Sequence, residues 1–276
     1  MDRIRCFEEG RTMKFTISSK TLIEHLEIIM MKGKYFQSEG AKSGFLTNYA
    51  VLDIANVNEN NKMEIYNADT STACMVSIPV SGTVEVGQCV VDINKTVSFL
   101  KPFGSDVTIT IGDFITIEDN SDGSTKKATL PKVLSHDGMG LIARMMNFSN
   151  SWNYNDVTSS MPTFSKTTFD TCVQTLATDI VPIAKSCEVV GVAKYRFDFD
   201  NSTEGLLKIS STKTEVEKYE GSLVPLTHDG ECATVEFTGN FYKFLDGLVR
   251  IYMKDDAPIL LVCQNRMLLK APYLSG

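Results

Sequence analysis

The chain spells one order of events twice. Residues 91–131 read as a short helix ending at Phe99 and Leu100, a strand carrying Val107, Ile109 and Ile111, a polar turn, a second strand over 114–117, and a closing run over 128–131. About 140 residues later the order returns in residues 235–272: a helix carrying Phe244 and Leu245, a strand over 249–253, a turn at Lys254, Asp255 and Asp256, and apolar runs over 258–262 and 268–272. A duplication this long predicts two copies of one fold in a single chain, so part of the symmetry of a larger assembly is already covalent.

The rest of the chain fits the same plan. In the first half a strand over 13–17 leads through Ser18 and Ser19, a plausible cap, into an amphipathic helix over 21–31 ended by Lys32 and Gly33. Alternating strands over 50–57, 63–66, 74–80 and 84–91 follow, then a helix over 93–100. In the second half Phe164 and Ser165 lead into a helix predicted over 167–180, with strands over 189–192, 195–199, 206–210, 219–224 and 232–237 before a last helix and hairpin. Matching Lys20 with Lys166 and Phe99 with Phe244 gives offsets of 146 and 145 residues. The predicted class is α+β, with antiparallel sheets covered on one face by two helices per repeat. The expected division is an N-terminal extension (1–12), a first domain (13–131), a connecting linker (132–162) and a second domain (163–276).

The linker lacks a strand period and carries Leu134, Met139, Leu141, Ile142, Met145, Met146, Phe148 and Trp152. Two readings stand for these apolar side chains: they hold the linker to the domains, or they serve partner recognition, for which methionine-rich surfaces are suited.

Composition narrows the class. With 43% hydrophobic and 22% charged residues, 276 residues suffice for two ordinary cores, and no stretch is apolar for the ~18 residues of a membrane helix, so a soluble protein without membrane contact is expected. The first ten residues have no apolar core and do not read as a secretory signal, and Met13 is an alternative start. Seven cysteines, odd in number and mostly within apolar runs, read as free thiols in a reducing compartment. The glycosylation tripeptides at Asn94, Asn147 and Asn201 then read as chance matches. A net charge of −7 argues against a surface that coats nucleic acid all over, while leaving room for a local basic face.

Catalytic signatures are few. The pairs His136-Asp137 and His228-Asp229 invite a metal-dependent phosphohydrolase reading, but only His25 remains to complete a ligand shell, and Asp-Gly is itself a turn signal. No nucleophile elbow, phosphate loop or dinucleotide fingerprint occurs in the sequence, and the carboxylate pairs Glu8-Glu9 and Asp255-Asp256 fall in a tail and a turn. The expectation is a protein with no enzymatic activity, no cofactor and no metal.

Several motifs then coincide: Phe169, Cys172 and Leu176; Glu204-Gly-Leu-Leu-Lys-Ile-Ser210; Phe244-Leu245; Asp256-Ala-Pro-Ile-Leu-Leu261; and Leu269-Lys-Ala-Pro272. Asn67-Ala-Asp-Thr-Ser-Thr-Ala-Cys-Met75, Asp119-Asn120 and the strand end at 128–131 add to them. In order and spacing the chain from Met13 onward resembles the DNA sliding clamps of the proliferating cell nuclear antigen (PCNA) family. The resemblance implies two similar clamp domains per chain, with sheets outside and two helices per domain inside, and three chains closing into a ring around duplex DNA. It implies no catalysis, and as partners non-specifically encircled DNA, a DNA polymerase, a clamp loader and other replication or repair enzymes that dock by short peptide motifs. The implied location is intracellular: cytoplasm or nucleoid for an archaeal or viral protein, nucleus for a eukaryotic one.

Carried over residue by residue, the resemblance places a partner-peptide pocket at Ala68, Pro258, Leu269, Ala271 and Pro272, rimmed by Leu141 and Ile142. Ala68 and Leu269 replace the family's usual methionine and tyrosine. The subunit interface is expected between 124–131 (Ser124, Lys126, Ala128, Leu130) of one chain and 205–212 (Leu206, Lys208, Ser210) of the next, unless these are internal strands. Lys20, Lys95, Lys101, Lys166 and Lys243 are the candidates for the DNA channel. Counting Lys and Arg against Asp and Glu, residues 20–34 and 239–250 each carry +1 and residues 92–106 and 166–185 carry none, so these stretches hold +2 and the remainder −9. That weakly basic lining also admits a specialised checkpoint-type or viral clamp subunit.

Overall fold

The structure is a computed structural model and describes residues 12–30, 48–55, 61–119, 125–151, 161–191, 194–202 and 204–273. The chain divides into two compact units: residues 1–32, 43–69 and 75–143 form the first, and residues 33–42, 70–74 and 144–276 the second.

In the first unit, β1 (Met13–Ser18) alternates as its sequence requires, with Met13, Phe15 and Ile17 buried. The chain then turns directly into α1 (Ser19–Ile29), where the Ser18 hydroxyl accepts the Thr21 amide at 3.4 Å. Leu22, Leu26 and Ile29 recur at helical spacing and are fully buried, each contributing about 1.5–3 kcal/mol. The strands β2 (Tyr49–Ile54), β3 (Lys62–Ala68), β4 (Thr72–Pro79), β5 (Ser81–Glu85) and β6 (Gly87–Asp92) follow, then α2 (Ile93–Leu100), whose amide at Lys95 is capped by the Asp92 carboxylate at 3.0 Å. The strands β7 (Asp106–Ile111), β8 (Phe114–Asp119) and β9 (Lys126–Pro131) complete a five-stranded antiparallel sheet in the order β5-β1-β7-β8-β9. β2 lies between β3 and β6 in a second sheet.

The segment expected as an irregular linker contains α3 (Met139–Ser151), and the boundary between the two units falls within it. Ile142, Met145 and Phe148 are buried at a spacing of three, a helical period that a search for strand alternation overlooks.

The second unit begins with the hairpin β10 (Thr163–Phe164) and β11 (Thr167–Thr168), then β12 (Thr171–Leu176) and α4 (Ala177–Cys187). The helix expected over 167–180 is therefore corrected: Thr171, Val173 and Thr175 alternate as buried strand positions, and β-branched residues favour that pleat. The offset between the repeats drifts accordingly, from 158 residues between the starts of α1 and α4 to 142 between β7 and β18. The expected strand over 189–192 is a 3₁₀ turn, Glu188–Val190.

The strands β13 (Lys194–Asp200), β14 (Leu206–Thr212), β15 (Lys218–Leu223) and β17 (Ala233–Thr238) form a sheet in the order β15-β14-β13-β17. β16 (Thr227–Gly230) pairs with β12, which continues into β18 (Leu248–Met253), β19 (Ile259–Cys263) and β20 (Arg266–Lys270). Tyr195, Phe197, Phe237 and Phe241 fill the core with ring centroids 5.0–5.8 Å apart. The last predicted helix is reduced to a single 3₁₀ turn, Tyr242–Phe244, because Gly239 (φ 80°) and Gly247 (φ 56°) break the helical backbone on either side.

Candidate functional site

The residues expected at the peptide pocket fall partly in each unit. In the first, Ala68 ends β3 with 1% exposure, and Gly138 packs so closely on it that a Cβ there would lie 2.8 Å from the Ala68 carbonyl. Ile142 is fully buried and Leu141 half-buried. Ala68 and Ile142 are thus packed interior positions rather than open walls, which corrects the sequence expectation: the small side chain is filled by the linker. His136 secures this arrangement. Its Nδ1 accepts the Gly138 amide at 2.9 Å, which leaves the proton on Nε2, within reach of the Tyr49 carbonyl (3.2 Å) and the Asn67 Oδ1 (3.1 Å). Asn67 in turn donates to the last carbonyl of α1, that of Ile29, at 2.9 Å. Burial lowers the pKa of His136. Its one lone pair being occupied, this imidazole is unsuited to hold a metal, and among the described residues no three His, Cys, Asp or Glu side chains converge.

In the second unit Leu269 is 4% exposed within β20, opposite Leu260, whereas Pro258, Ala271 and Pro272 are half-buried. Beside Pro272 opens a pocket of about 270 Å³ lined by Arg196, Thr234, Val235, Glu236, Asp256, Pro272 and Tyr273. Its wall is the outer face of β13 and β17. Arg196 grips both oxygens of Asp198 at 2.9 Å and reaches Glu236 at 3.6 Å, and Lys194 pairs with Glu236 at 2.6 Å while lying 4.3 Å from the Tyr273 ring centre. The Asp198 carboxyl is held below the usual carboxylate range by hydrogen bonds from Arg196 and Thr234, which overcome the opposing effect of its burial. Of the pocket's residues the sequence reading named only Pro272 as a site. Arg196 and Glu236 come together through strand register, which no local motif records.

The channel candidates divide. Lys20, Lys95 and Lys101 lie exposed on or at the end of α1 and α2, Lys95 being 3.7 Å from Asp92. Lys166 sits in the β10–β11 turn, not on a helix, and Lys243 is in the 3₁₀ turn. Lys185, passed over as a candidate, lies on the exposed face of α4, 5.9 Å from the Tyr242 ring.

Of the interface residues, Ser124 lies outside the described residues. Lys126, Ala128 and Leu130 are on β9, the terminal strand of its sheet. Leu206, Lys208 and Ser210 are on β14, which pairs with β13 on one side and β15 on the other, so both its backbone edges are already used. β14 is thus the internal strand that the sequence reading allowed as its alternative, and the terminal strands of this sheet are β15 and β17.

Cys74, Cys89, Cys187 and Cys263 are buried and outside any disulfide, Cys172 is half-buried and Cys232 exposed, while Cys6 lies outside the described residues. Burial pushes Cys89 up to about 12, and Cys172, Cys187 and Cys263 to about 11. No helix among the described residues is long and apolar enough to cross a membrane.

No protein-family profile matches the chain, and no curated protein sequence matches it. Solved structures do. A Helicobacter pylori beta clamp bound to a DNA ligase peptide is 13% identical, with 96% of this chain and 67% of that chain covered and a TM-score of 0.64. The DNA polymerase sliding clamp of Bacillus subtilis is 12% identical, with 98% and 66% covered and a TM-score of 0.65. PCNA from Thermococcus kodakaraensis is 15% identical, with 95% and 100% covered and a TM-score of 0.60. The chain thus spans 64% to 68% of the length of the bacterial clamps it matches, but all of the archaeal one. With two repeats of strand, helix and antiparallel sheet, and a likeness over nearly all of this chain to clamps of two lineages, the chain has the PCNA-like fold of the DNA sliding clamps.

Proposed function

We propose that this protein is a DNA sliding clamp: three copies close head to tail into a ring around duplex DNA and tether a polymerase and other replication or repair enzymes, without catalysing a reaction. The observation that carries the reading is the match over the full length of an archaeal PCNA, a chain that holds the same two-repeat architecture. Two sheet ends support it. Among the described residues β9 in the first unit and β15 in the second each end their sheet without a further strand, and joining two different edges is the heterologous contact that builds rings. DNA would meet Lys20, Lys95, Lys101 and Lys185 through its phosphates, without base readout. Partner peptides would approach Pro258, Ala271 and Pro272 over the Leu269 floor; one matched clamp is bound to a DNA ligase peptide. Such a protein works inside the cell, wherever its DNA is copied.

A specific observation favours a second reading, a subunit that joins other clamp chains in a mixed ring. The exposed helix positions carry Lys20, Lys95, Lys101 and Lys185 against Glu24, Glu27 and Asp179, a weak positive balance for a DNA channel. Light scattering across a dilution series decides between them. Three times the 30.6 kDa chain mass is expected, followed by retention on circular DNA and loss from linearised DNA. A monomer at every concentration overturns the homotrimer and leaves the mixed ring.

A further inference from the structure

The pocket beside Pro272 has features that peptide anchoring by apolar side chains does not use. β17 ends its sheet, and its even-numbered residues turn their backbone groups away from β13: the Thr234 amide donates outward to the Asp255 carboxylate at 2.7 Å, and the Glu236 carbonyl accepts the Tyr273 amide at 2.7 Å. In a strand the N–H and C=O of one residue point to the same side. The Thr234 carbonyl and the Glu236 amide therefore also face outward, between those two contacts, on residues that line the pocket, and neither has a partner among the described residues. The charges around this gap are unequal. Lys194 and Arg196 are engaged by Glu236 and Asp198, and Asp255 by the Thr234 amide, while Asp256 lines the pocket with no ion pair or hydrogen bond among the described residues. Asp256 is exposed and held at φ 56°, in the left-handed backbone region.

We propose that this pocket binds a lysine or arginine side chain of an extended peptide segment, whose backbone adds to the β17 edge at Thr234 and Glu236 while its cation meets Asp256. Pro272 and Tyr273 supply the apolar wall for the aliphatic stem. The inference rests on the second unit alone: a chain that proved monomeric would still carry the site, and an intact trimer without it would count against the pocket only.

The test titrates the full ¹⁵N-labelled chain with two blocked heptapeptides, Gly-Thr-Val-Lys-Val-Thr-Gly and the same sequence with Glu for Lys. Saturable shifts of the Thr234, Glu236 and Asp256 amides are expected with the lysine peptide alone. Asp256→Asn, which keeps a residue tolerant of positive φ, should weaken that binding about fivefold with an unchanged circular dichroism spectrum. N-methyl groups on one alternate set of peptide amides should abolish binding, and on the other set leave it intact. Equal shifts from both peptides, no saturation by the lysine peptide at millimolar concentration, or indifference to both methylation patterns would overturn the assignment.

Discussion

A buried imidazole with both nitrogens engaged is worth most while neutral, and His136 is such a residue. Protonation would place a second hydrogen on Nδ1, against the Gly138 amide that now donates to it. Because burial holds the folded pKa below the unfolded value of 6.5, the unfolded chain takes up the proton first, so this contribution is present above pH 6.5 and is lost progressively as pH falls below it through the lower folded pKa. His136→Asn keeps an acceptor for Gly138 but removes the Nε2 donor, and should cost about 1–3 kcal/mol near neutral pH. Urea midpoints of the two proteins should converge as the pH is lowered, and a difference independent of pH would sink this account. The thiols make a second residue-level prediction. In a Cys6→Ser background near about pH 8, a thiol reagent should modify Cys232 fastest, with Cys89, Cys187 and Cys263 reacting only on unfolding. Sequence alone read the His136-Asp137-Gly138 turn and the buried thiols, yet it could not foresee that His136 reaches residues 69 and 87 positions away. Such contacts follow from register and packing, which leave no local mark.

Among the elements, legibility tracked how strongly each period was written. α2 occupies the predicted 93–100, since its cap and apolar stripe lie together, and most strands fall within a few residues of their expected places. α4 was displaced because Thr171 to Leu176 suits either period, and Leu176 gives the helix no side-chain cap to announce its start. What positions α4 is instead a gap in the sheet beneath it. A Cβ on Gly221 of β15 would lie 2.8 Å from Ile183 Cγ2, so the helix rests where β15 has no side chain. Gly221→Ala should therefore destabilise the fold by about 1–3 kcal/mol through overpacking. Combined with Ile183→Ala, the loss should be smaller than the two single losses together, because the shorter side chain vacates the space. Strict additivity in denaturant unfolding would show that the two do not compete for one site.

For the molecule as a whole, the duplication written in the sequence carried the architecture, and the motifs carried the resemblance to clamps. Of the two strands expected to join copies, β9 is terminal in its sheet and β14 is internal, because a strand's outer or inner rank depends on which neighbours fold beside it. β15 was read as one more strand and emerges as the terminal one. It carries Tyr219, 37% exposed, opposite Ser211 of β14. In a ring joined through this edge, Tyr219 would be buried against the next copy, and a lysine there would bring a charge into a contact where aromatic side chains contribute strongly. Tyr219→Lys should raise the concentration at which the assembly dissociates by about tenfold or more, corresponding to about 1.4 kcal/mol, with the circular dichroism of the folded chain retained. Leu206→Ser, at the far end of β14 and paired with Asp200, should leave the mass at each dilution unchanged. If Leu206→Ser dissociates the assembly and Tyr219→Lys does not, the joining edge lies elsewhere, and the internal rank of β14 would have to be broken when copies meet.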